Sequence, residues 1–199
     1  MSEIQEKIKG EIPKEVMMVI AVLQGATYEA YLVGGCVRDL LMGVTPKDYD
    51  VTTNATPEEI IALFPKTFYE NSYGTVGVVT CGEDLGTVCT DESVKIVEVT
   101  PYRLETTYSD NRHPDSVSWS KNLLDDLGRR DFTVNSMAYN PVTREIVDPY
   151  NGQQDIENKK ISAVGDANTR FNEDALRLMR AIRFMSQLDF DIDSVTRES

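Results

Sequence analysis

The sequence predicts an α+β fold followed by the start of an all-helical region. Short runs rich in Val, Ile and Thr, bounded by glycine or proline, are typical of strands and occur over residues 28–103. Stretches with helix-start and helix-stop signals lie between these runs. A longer helical pattern at 171–190 comes after two turn signals, Asp148-Pro149 and Asn151-Gly152. We therefore expect the two kinds of structure to follow one another along the chain.

The first elements follow from local signals. A helix is expected from Pro13 to about Gln24, because proline favours the first turn of a helix. YEAYLVGG predicts a strand that ends in a glycine turn, CVRDLLMG a short helix, and KDYDVTT a second strand. In TPEEIIALF, Thr56 and Glu59 have the spacing of a capping box, which predicts a helix start.

The later part of the sequence predicts a change from mixed strands and helices to helices alone. GTVGVVTCG and SVKIVEVTPYR predict strands, and KNLLDDLGRRDFTVNSMAY predicts helix in two pieces. FNEDALRLMRAIRFMSQLDF predicts one strong helix, whose apolar Leu176, Met179 and Ile182 indicate burial between other elements. We place the domain boundary at the turn signals, which gives a first domain at 1–148 and a truncated helical domain at 149–199.

Composition and charge limit the possible partners. The 199 residues carry a net charge of −13, from 20 basic and 33 acidic side chains, and nucleic-acid binding usually requires a basic surface. Either the chain does not bind nucleic acid, or the basic binding surface lies in a part of the protein absent here. The charge is also consistent with solubility alone. The N-terminus has no secretory pattern, no stretch is long enough for a membrane span, and the three cysteines suggest reduced thiols, so we expect a cytoplasmic protein.

Asp48 and Asp50 are the strongest candidates for metal ligands. On a strand, residues two apart point to the same side, so two carboxylates would lie close together. Such a pair is unfavourable without a proton or a cation between them, and Mg²⁺ prefers carboxylate and phosphate oxygens. A lone Asp-x-Asp is more often a solvated turn.

The glycine turn just before this pair strengthens the metal interpretation. Gly34 and Gly35 permit close backbone approach by phosphate, and Arg38 adds a forked cation, although it could simply pair with Asp39. Together these residues favour metal-assisted nucleotidyl transfer, in which one metal activates a 3′-hydroxyl and another holds a triphosphate.

Four ordered motifs resemble those of the class II tRNA nucleotidyltransferases, within the polymerase β superfamily. They are LVGGCVRDLLMG...KDYDVTT, GRRDFTVNSMAY, DPYNGQQDI and RFNEDALRLMRAIRF, over roughly residues 28 to 190. That family comprises CCA-adding enzymes, A-adding and CC-adding relatives, and bacterial poly(A) polymerases. The resemblance implies a nucleotidyltransferase head with a mixed five-stranded sheet and flanking helices, then a helical neck, body and tail. This chain resembles the head and the start of the neck.

The resemblance also implies roles for individual residues. Glu98, in an apolar row with Val94 and Ile96, resembles the third acidic residue of the catalytic site, as a general base or an orienting group. Asp131 is expected at the ribose, although its position before FTVNSM is also that of a helix cap. The other nucleotide-binding residues implied are Arg130, Asn135, Asp174, Arg177, Arg180 and Arg183.

Base selection is assigned by the resemblance to Asp174 and Arg177, three residues apart on a helix. Cytosine and adenine both present an amino donor beside a ring-nitrogen acceptor, so an accepting Asp and a donating Arg suit both. Uracil and guanine present the reverse pattern, and two unpaired buried groups would reject them by roughly two to four decades. The simpler interpretation of such a pair is a surface salt bridge.

Three functions remain open from the sequence. The first is a CCA-adding enzyme that uses CTP, ATP and Mg²⁺ at the tRNA 3′ end. The second is an A-adding enzyme. The loop containing DNRHP resembles that of enzymes able to add A, which fits both of these functions and is absent from CC-adding relatives. The third is a nucleotide-binding module with little turnover, because the tRNA-holding parts are missing and few cations are available to hold tRNA.

Overall fold

The structure is a computed structural model that describes Ile8 and residues 12–70, 73–82, 94–105 and 116–199. The DNRHP loop and Cys89 lie outside these residues. The helices are α1 (Lys14–Gly25), α2 (Gly35–Leu41), α3 (Pro57–Leu63), α4 (Leu123–Gly128), α5 (Gly152–Glu157), α6 (Ala167–Glu173), α7 (Leu176–Leu188) and α8 (Ser194–Glu198), with a 3₁₀ turn at Thr133–Asn135. The strands are β1 (Ala30–Val33), β2 (Asp50–Thr53), β3 (Thr67–Tyr69), β4 (Val76–Val79), β5 (Ile96–Pro101), β6 (Arg103–Glu105), β7 (Val117–Trp119), β8 (Ala138–Asn140), β9 (Glu145–Val147), β10 (Lys160–Ile161) and β11 (Asp191–Ile192).

Seven strands form one mixed sheet, in the order β3-β4-β5-β2-β1-β8-β9. Only β2 and β5 run parallel within this sheet, and the other neighbours are antiparallel. The α+β class is confirmed. The described part of the chain has two more strands in the sheet than the five expected, because β3 and β9 extend its two edges. These strands are only three residues long, too short to give a clear alternating pattern.

One face of the sheet is packed against helices and the other carries polar groups. Val51, Val97 and Val99 belong to the main hydrophobic cluster, together with Val19 and Ile20 of α1. Opposite side chains of paired strands share a face, and Asp50 pairs in register with Glu98. The sheet therefore presents these two carboxylates side by side, on the face away from α1.

A second hydrophobic cluster connects the C-terminal helices to the polypeptide just before β8. Phe132 and Val134 pack there with Ile161, Phe171 and Phe184. The segment after the predicted boundary at 148 is thus packed directly against the segment 131–135. At the boundary, the Asp148 carboxylate accepts hydrogen bonds from the main-chain N–H groups of Gly152 and Gln153, at 2.7 and 2.9 Å. The domain division itself stays a prediction.

The predicted helix at 171–190 is interrupted. Helix α6 ends at Glu173, Asp174 is extended with φ −140° and ψ 104°, and α7 begins at Leu176. The Asp174 side chain accepts a hydrogen bond from the main-chain N–H of Leu176, at 2.9 Å. Aspartate competes for backbone donors in this way, which explains why a continuous helical pattern is broken here.

The predicted burial of the apolar residues on α7 is wrong. Leu176, Met179 and Ile182 are 47%, 64% and 52% exposed. The buried side of α7 is instead formed by Arg177, Ala181 and Phe184. Periodicity alone did not distinguish the two sides, because both carry large nonpolar groups.

Other local predictions are confirmed or corrected residue by residue. The capping box of Thr56 and Glu59 is present at the start of α3, and α1 starts one residue after Pro13.

Cys81 is disulfide-bonded, so the expectation of reduced thiols is wrong for that residue. Cys36 is a free buried thiol whose pKa is raised to about 12 by burial. Within the described ranges, no helix has the length and apolarity needed to span a membrane.

Candidate functional site

A cavity of about 1010 Å³ brings together nearly all of the predicted site residues. It lies where the glycine turn after β1, the start of β2, the segment after α4 and one side of α7 meet. The predicted residues that line it are Gly34, Gly35, Arg38, Asp48, Asp50, Arg130, Asp131, Asn135, Asp174, Arg177, Arg180 and Arg183. Glu98 is the one predicted site residue outside this lining.

The glycine turn is tightly enclosed by other site residues. Gly34 has φ 79°, a left-handed conformation that glycine adopts without strain. A Cβ atom at this position would lie 3.1 Å from Nη1 of Arg130 and 3.9 Å from Oδ2 of Asp50. A side chain here would therefore crowd the end of the Arg130 side chain, whereas its distance from Asp50 is an ordinary van der Waals contact. The main requirement for glycine at this position is its conformation.

Asp48 and Asp50 both line the cavity, but only Asp50 lies on a strand. Asp48 is an exposed residue in the bend before β2, so the expected placement of both carboxylates on one strand is wrong. Strand β1 pairs with β2 only from Val51 onward and turns away at Gly34, which leaves Asp48 without a strand partner on that side. The cavity still brings the two carboxylates to one place.

Burial and neighbouring carboxylates raise the pKa of Asp50 and of Glu98. Burial raises the pKa of Asp50, the Arg130 charge lowers it, and the Asp48 charge raises it further, with a net upward shift. The pKa of Glu98 is raised by partial burial and by the charges of Asp50, Glu70 and Asp48. Glu98 is thus an exposed neighbour of the aspartate pair, beside Asp50 in the sheet.

A divalent cation fits this arrangement through two carboxylates. Within the described residues, no cluster of three or more His, Cys, Asp or Glu side chains could hold a metal ion by itself. Mg²⁺ commonly takes one or two protein carboxylates and completes its shell with water and substrate phosphate. Asp48 and Asp50 can supply the two carboxylates, and their mutual repulsion is what a cation would relieve.

Arg38 is held by two different acceptors. Its Nε and Nη2 donate to Oδ1 of Asp39, at 2.9 and 2.7 Å, and its Nη1 donates to Oδ1 of Asn135, at 2.6 Å. The side chains of Arg38 and Asn135 are buried, at 8% and 6% exposure. The suspected pairing of Arg38 with Asp39 is confirmed, and Asn135 acts here by fixing Arg38.

Asp126 was missed by the sequence analysis, and it holds two arginines. Its fully buried carboxylate accepts from Arg129 Nε and Nη2, at 2.9 and 2.6 Å, and from Arg130 Nη2, at 3.0 Å. Burial alone raises its pKa, but the Arg130 and Arg129 charges outweigh burial and lower it to about 2. The spacing i to i+3 and i+4 in DDLGRR was the available signal.

Asp131 connects the segment after α4 to helix α7. Its Oδ2 accepts a hydrogen bond from Nε of Arg180, at 2.6 Å, and its Oδ1 accepts from the main-chain N–H of Phe132, at 2.8 Å. The residue that precedes the 3₁₀ turn at Thr133–Asn135 is Phe132, and its side chain makes no capping hydrogen bond. The alternative interpretation of Asp131 as that helix cap is therefore wrong.

Asp174 and Arg177 both face the cavity without a salt bridge between them in the described structure. Arg177 Nη1 donates to Glu173 Oε2 at 2.7 Å and to the Arg170 carbonyl at 3.0 Å, while its Nη2 donates to the Arg129 carbonyl at 3.2 Å. Glu173 also accepts from Arg170, at 2.6 Å. The partner of Arg177 is thus Glu173, and the Asp174 carboxylate is left to face the cavity.

The sequence matches a known protein family over most of its length. The family described as "Poly A polymerase head domain" matches residues 30–162, so the chain belongs to that family. The resemblance inferred from the four motifs is thereby confirmed.

Several of its individual relatives are CCA-adding enzymes. The chain is 44% identical to the CCA-adding enzyme of Leuconostoc citreum over 190 residues, which is 94% of this chain and 44% of that protein. It is 42% identical to the one of Geobacillus sp. over 186 residues, or 94% of this chain and 43% of that protein. The solved Bacillus stearothermophilus CCA-adding enzyme in complex with CTP matches 100% of this chain and 43% of its own, at 38% identity and a TM-score of 0.77. The chain spans less than half the length of these relatives.

Proposed function

We propose that this chain carries the nucleotide-binding and catalytic part of a CCA-adding enzyme. The reaction is template-independent transfer of C and A nucleotides from CTP and ATP to the 3′ end of tRNA. The observation that carries the proposal is one cavity lined by an aspartate pair, by several arginines and by the Asp174 and Arg177 side chains. The relatives named CCA-adding enzyme, and the neighbour solved with CTP, support the choice of reaction.

The acidic residues have the catalytic role in this proposal. Asp48 and Asp50 bind Mg²⁺, which when bound would activate the attacking 3′-hydroxyl and neutralise the triphosphate. Glu98 lies beside Asp50 in register and adds negative charge near the pair. It orients the site or accepts the hydroxyl proton, and its raised pKa is consistent with either role.

The arginines and the glycine turn hold the nucleotide. Gly34 and Gly35 leave room for phosphate oxygens, and Arg38, Arg180 and Arg183 supply positive charge on the same cavity. A second set, formed by Arg130, Asp131 and Asn135, positions the ribose and phosphates.

Asp174 and Arg177 select the base. The described contacts engage three of the five N–H groups of Arg177, which fixes its orientation and leaves donors for a base. One oxygen of Asp174 accepts from Leu176, and the other remains to accept an amino group of cytosine or adenine. With uracil or guanine, an acceptor on the base would face the Asp174 carboxylate or a donor on the base would face Arg177. Each group left unpaired in this way would cost about 1–3 kcal/mol of binding free energy.

The family relation also supports a proposal for the domains, the cellular location and the tRNA affinity of this chain. The segment 1–148 is the head and 149–199 is the start of a helical neck, whose first part closes the cavity through α7. The protein acts in the cytoplasm, where tRNA is processed, and tRNA binds weakly to this chain because acidic side chains exceed basic ones by 33 to 20.

The test uses tRNA lacking its last one, two or three nucleotides, each offered with a single nucleoside triphosphate and Mg²⁺. A CCA-adding enzyme incorporates C on the two shorter acceptors and A on the longest, and excludes UTP and GTP. Incorporation of A alone would identify an A-adding enzyme. Binding of CTP and ATP without incorporation on any acceptor would identify a nucleotide-binding module and refute the proposed reaction.

A further inference from the structure

Three arginine side chains surround a single aromatic ring at the cavity. The guanidinium carbons of Arg38, Arg180 and Arg183 lie 5.5, 5.3 and 5.1 Å from the ring centre of Phe184. Arg38 comes from α2, whereas the other two share α7 with the ring. One side chain therefore contacts cations from two separate elements, and Phe184 itself lines the cavity.

The ring is held in place by packing. Phe184 is 6% exposed and lies in the second hydrophobic cluster. It packs edge-to-face against Phe132, with 5.9 Å between ring centres and 83° between planes. Phe132 is fully buried, so the orientation of the Phe184 ring is fixed by the core beneath it.

The ring attracts the arginines without cancelling their charge. Arg38 and Arg180 also pair with Asp39 and Asp131, at 2.7 and 2.6 Å. Arg183 differs from the other two arginines. In the part of the chain that the structure describes, its guanidinium group contacts the Phe184 ring and pairs with no carboxylate. An aromatic face attracts a cation through its quadrupole and adds no negative charge, so the guanidinium remains able to bind an anion.

We infer that Phe184 is a positioning residue that holds Arg38, Arg180 and Arg183 in place for the phosphate chain of the incoming nucleotide. The inference rests on the proposed function, because it takes a nucleoside triphosphate as the ligand of this cavity. It assigns no contact between Phe184 and the nucleotide. Loss of the ring should weaken binding of the β- and γ-phosphates and leave recognition of the base and sugar unchanged.

The experiment measures ATP, CTP and AMP affinity by calorimetry for four proteins, namely the wild type and three variants. Phe184→Leu removes the aromatic face but keeps an apolar side chain, and Phe184→Tyr keeps the face. Phe190→Leu is the matched control, because Phe190 is 5% exposed in the same cluster and no arginine is described over its ring. Thermal unfolding of each variant confirms folding, and Phe184→Met replaces Phe184→Leu if the latter does not fold.

We expect Phe184→Leu to bind ATP roughly tenfold more weakly than the wild type, as loss of two or three modest cation–π contacts would produce. AMP affinity should change little in any variant, and Phe184→Tyr should bind ATP like the wild type. An equal loss for ATP and AMP, or an equal loss in Phe190→Leu, would overturn the inference while leaving the proposed function standing. A wild-type protein that bound neither ATP nor CTP would instead refute the proposed function.

Discussion

Replacing Asp126 with Asn removes the buried carboxylate that holds Arg129 and Arg130. Asp126 has no exposed surface, and the two arginine side chains are only 15% and 19% exposed. The substitution keeps the size of the side chain, so it changes charge and hydrogen bonding with little change in packing. Two partly buried guanidinium groups would then lack their common partner.

The expected loss of stability follows from the contacts and the pKa. Removing one partner of a buried ion pair typically costs about 3–5 kcal/mol. The partial exposure of both arginines places the expected loss in the free energy of unfolding at the lower end, about 3 kcal/mol. The same ion pairs lower the pKa of Asp126 from 3.8 to about 2, and this shift corresponds to about 2 kcal/mol of that stability at neutral pH.

The part of this stability that is linked to the pKa of Asp126 depends on pH in a definite direction. Because the pKa of Asp126 is lower in the folded state, its contribution is fully present well above pH 3.8 and is lost as the pH falls toward 2. Roughly half should be gone at pH 3. The stability difference between the wild type and Asp126→Asn should therefore shrink on going from pH 7 to pH 3.

The assay is urea denaturation followed by circular dichroism at both pH values. Asp125→Asn is the control, since Asp125 lies next to Asp126 on α4 but bonds to Ser120 and Asn122 at the surface side of the helix. It should cost about 1 kcal/mol or less at pH 7. The reasoning fails if both variants lose equal stability, or if the wild-type advantage over Asp126→Asn is unchanged at pH 3.

Three further predictions concern activity and binding. Asp48→Asn and Asp50→Asn should each abolish nucleotide transfer in Mg²⁺ with an unchanged circular dichroism spectrum, because both carboxylates are assigned to the metal, and turnover within tenfold of the wild type would contradict this. Asp174→Ala should lose discrimination against UTP and GTP more than it loses CTP affinity, since the arginine and glycine contacts remain. Continued exclusion of UTP and GTP would limit the role of Asp174 to accepting the main-chain N–H of Leu176. The chain should bind tRNA with weak, salt-dependent affinity in fluorescence anisotropy, because its net charge is −13. Submicromolar affinity at physiological salt would contradict this and show that the main tRNA-binding surface lies in this chain.

Much of the site was predictable because its residues lie close together along the chain. Gly34 and Asp50 are separated by only one short helix, and the turn at Gly34 and the start of β2 follow from local signals. The capping box at Thr56 and Glu59 depends on a spacing of three residues, and it forms as expected. The base-recognition candidates Asp174 and Arg177 came from the family resemblance, since their local spacing alone predicts only a surface salt bridge.

The contacts that organise the cavity were set by tertiary structure. The hydrogen bond from Arg38 to Asn135 joins residues 97 positions apart, and the ion pair from Arg180 to Asp131 joins residues 49 apart. The sequence determined the α+β class, the glycine turn and the acidic pair, because these depend on neighbouring residues. Only the packed fold decided that α7 buries Arg177 and Phe184, and that Phe184 contacts Arg38. Which side of a helix is buried depends on the surface it packs against, and hydrophobic periodicity along one helix carries no information about that surface.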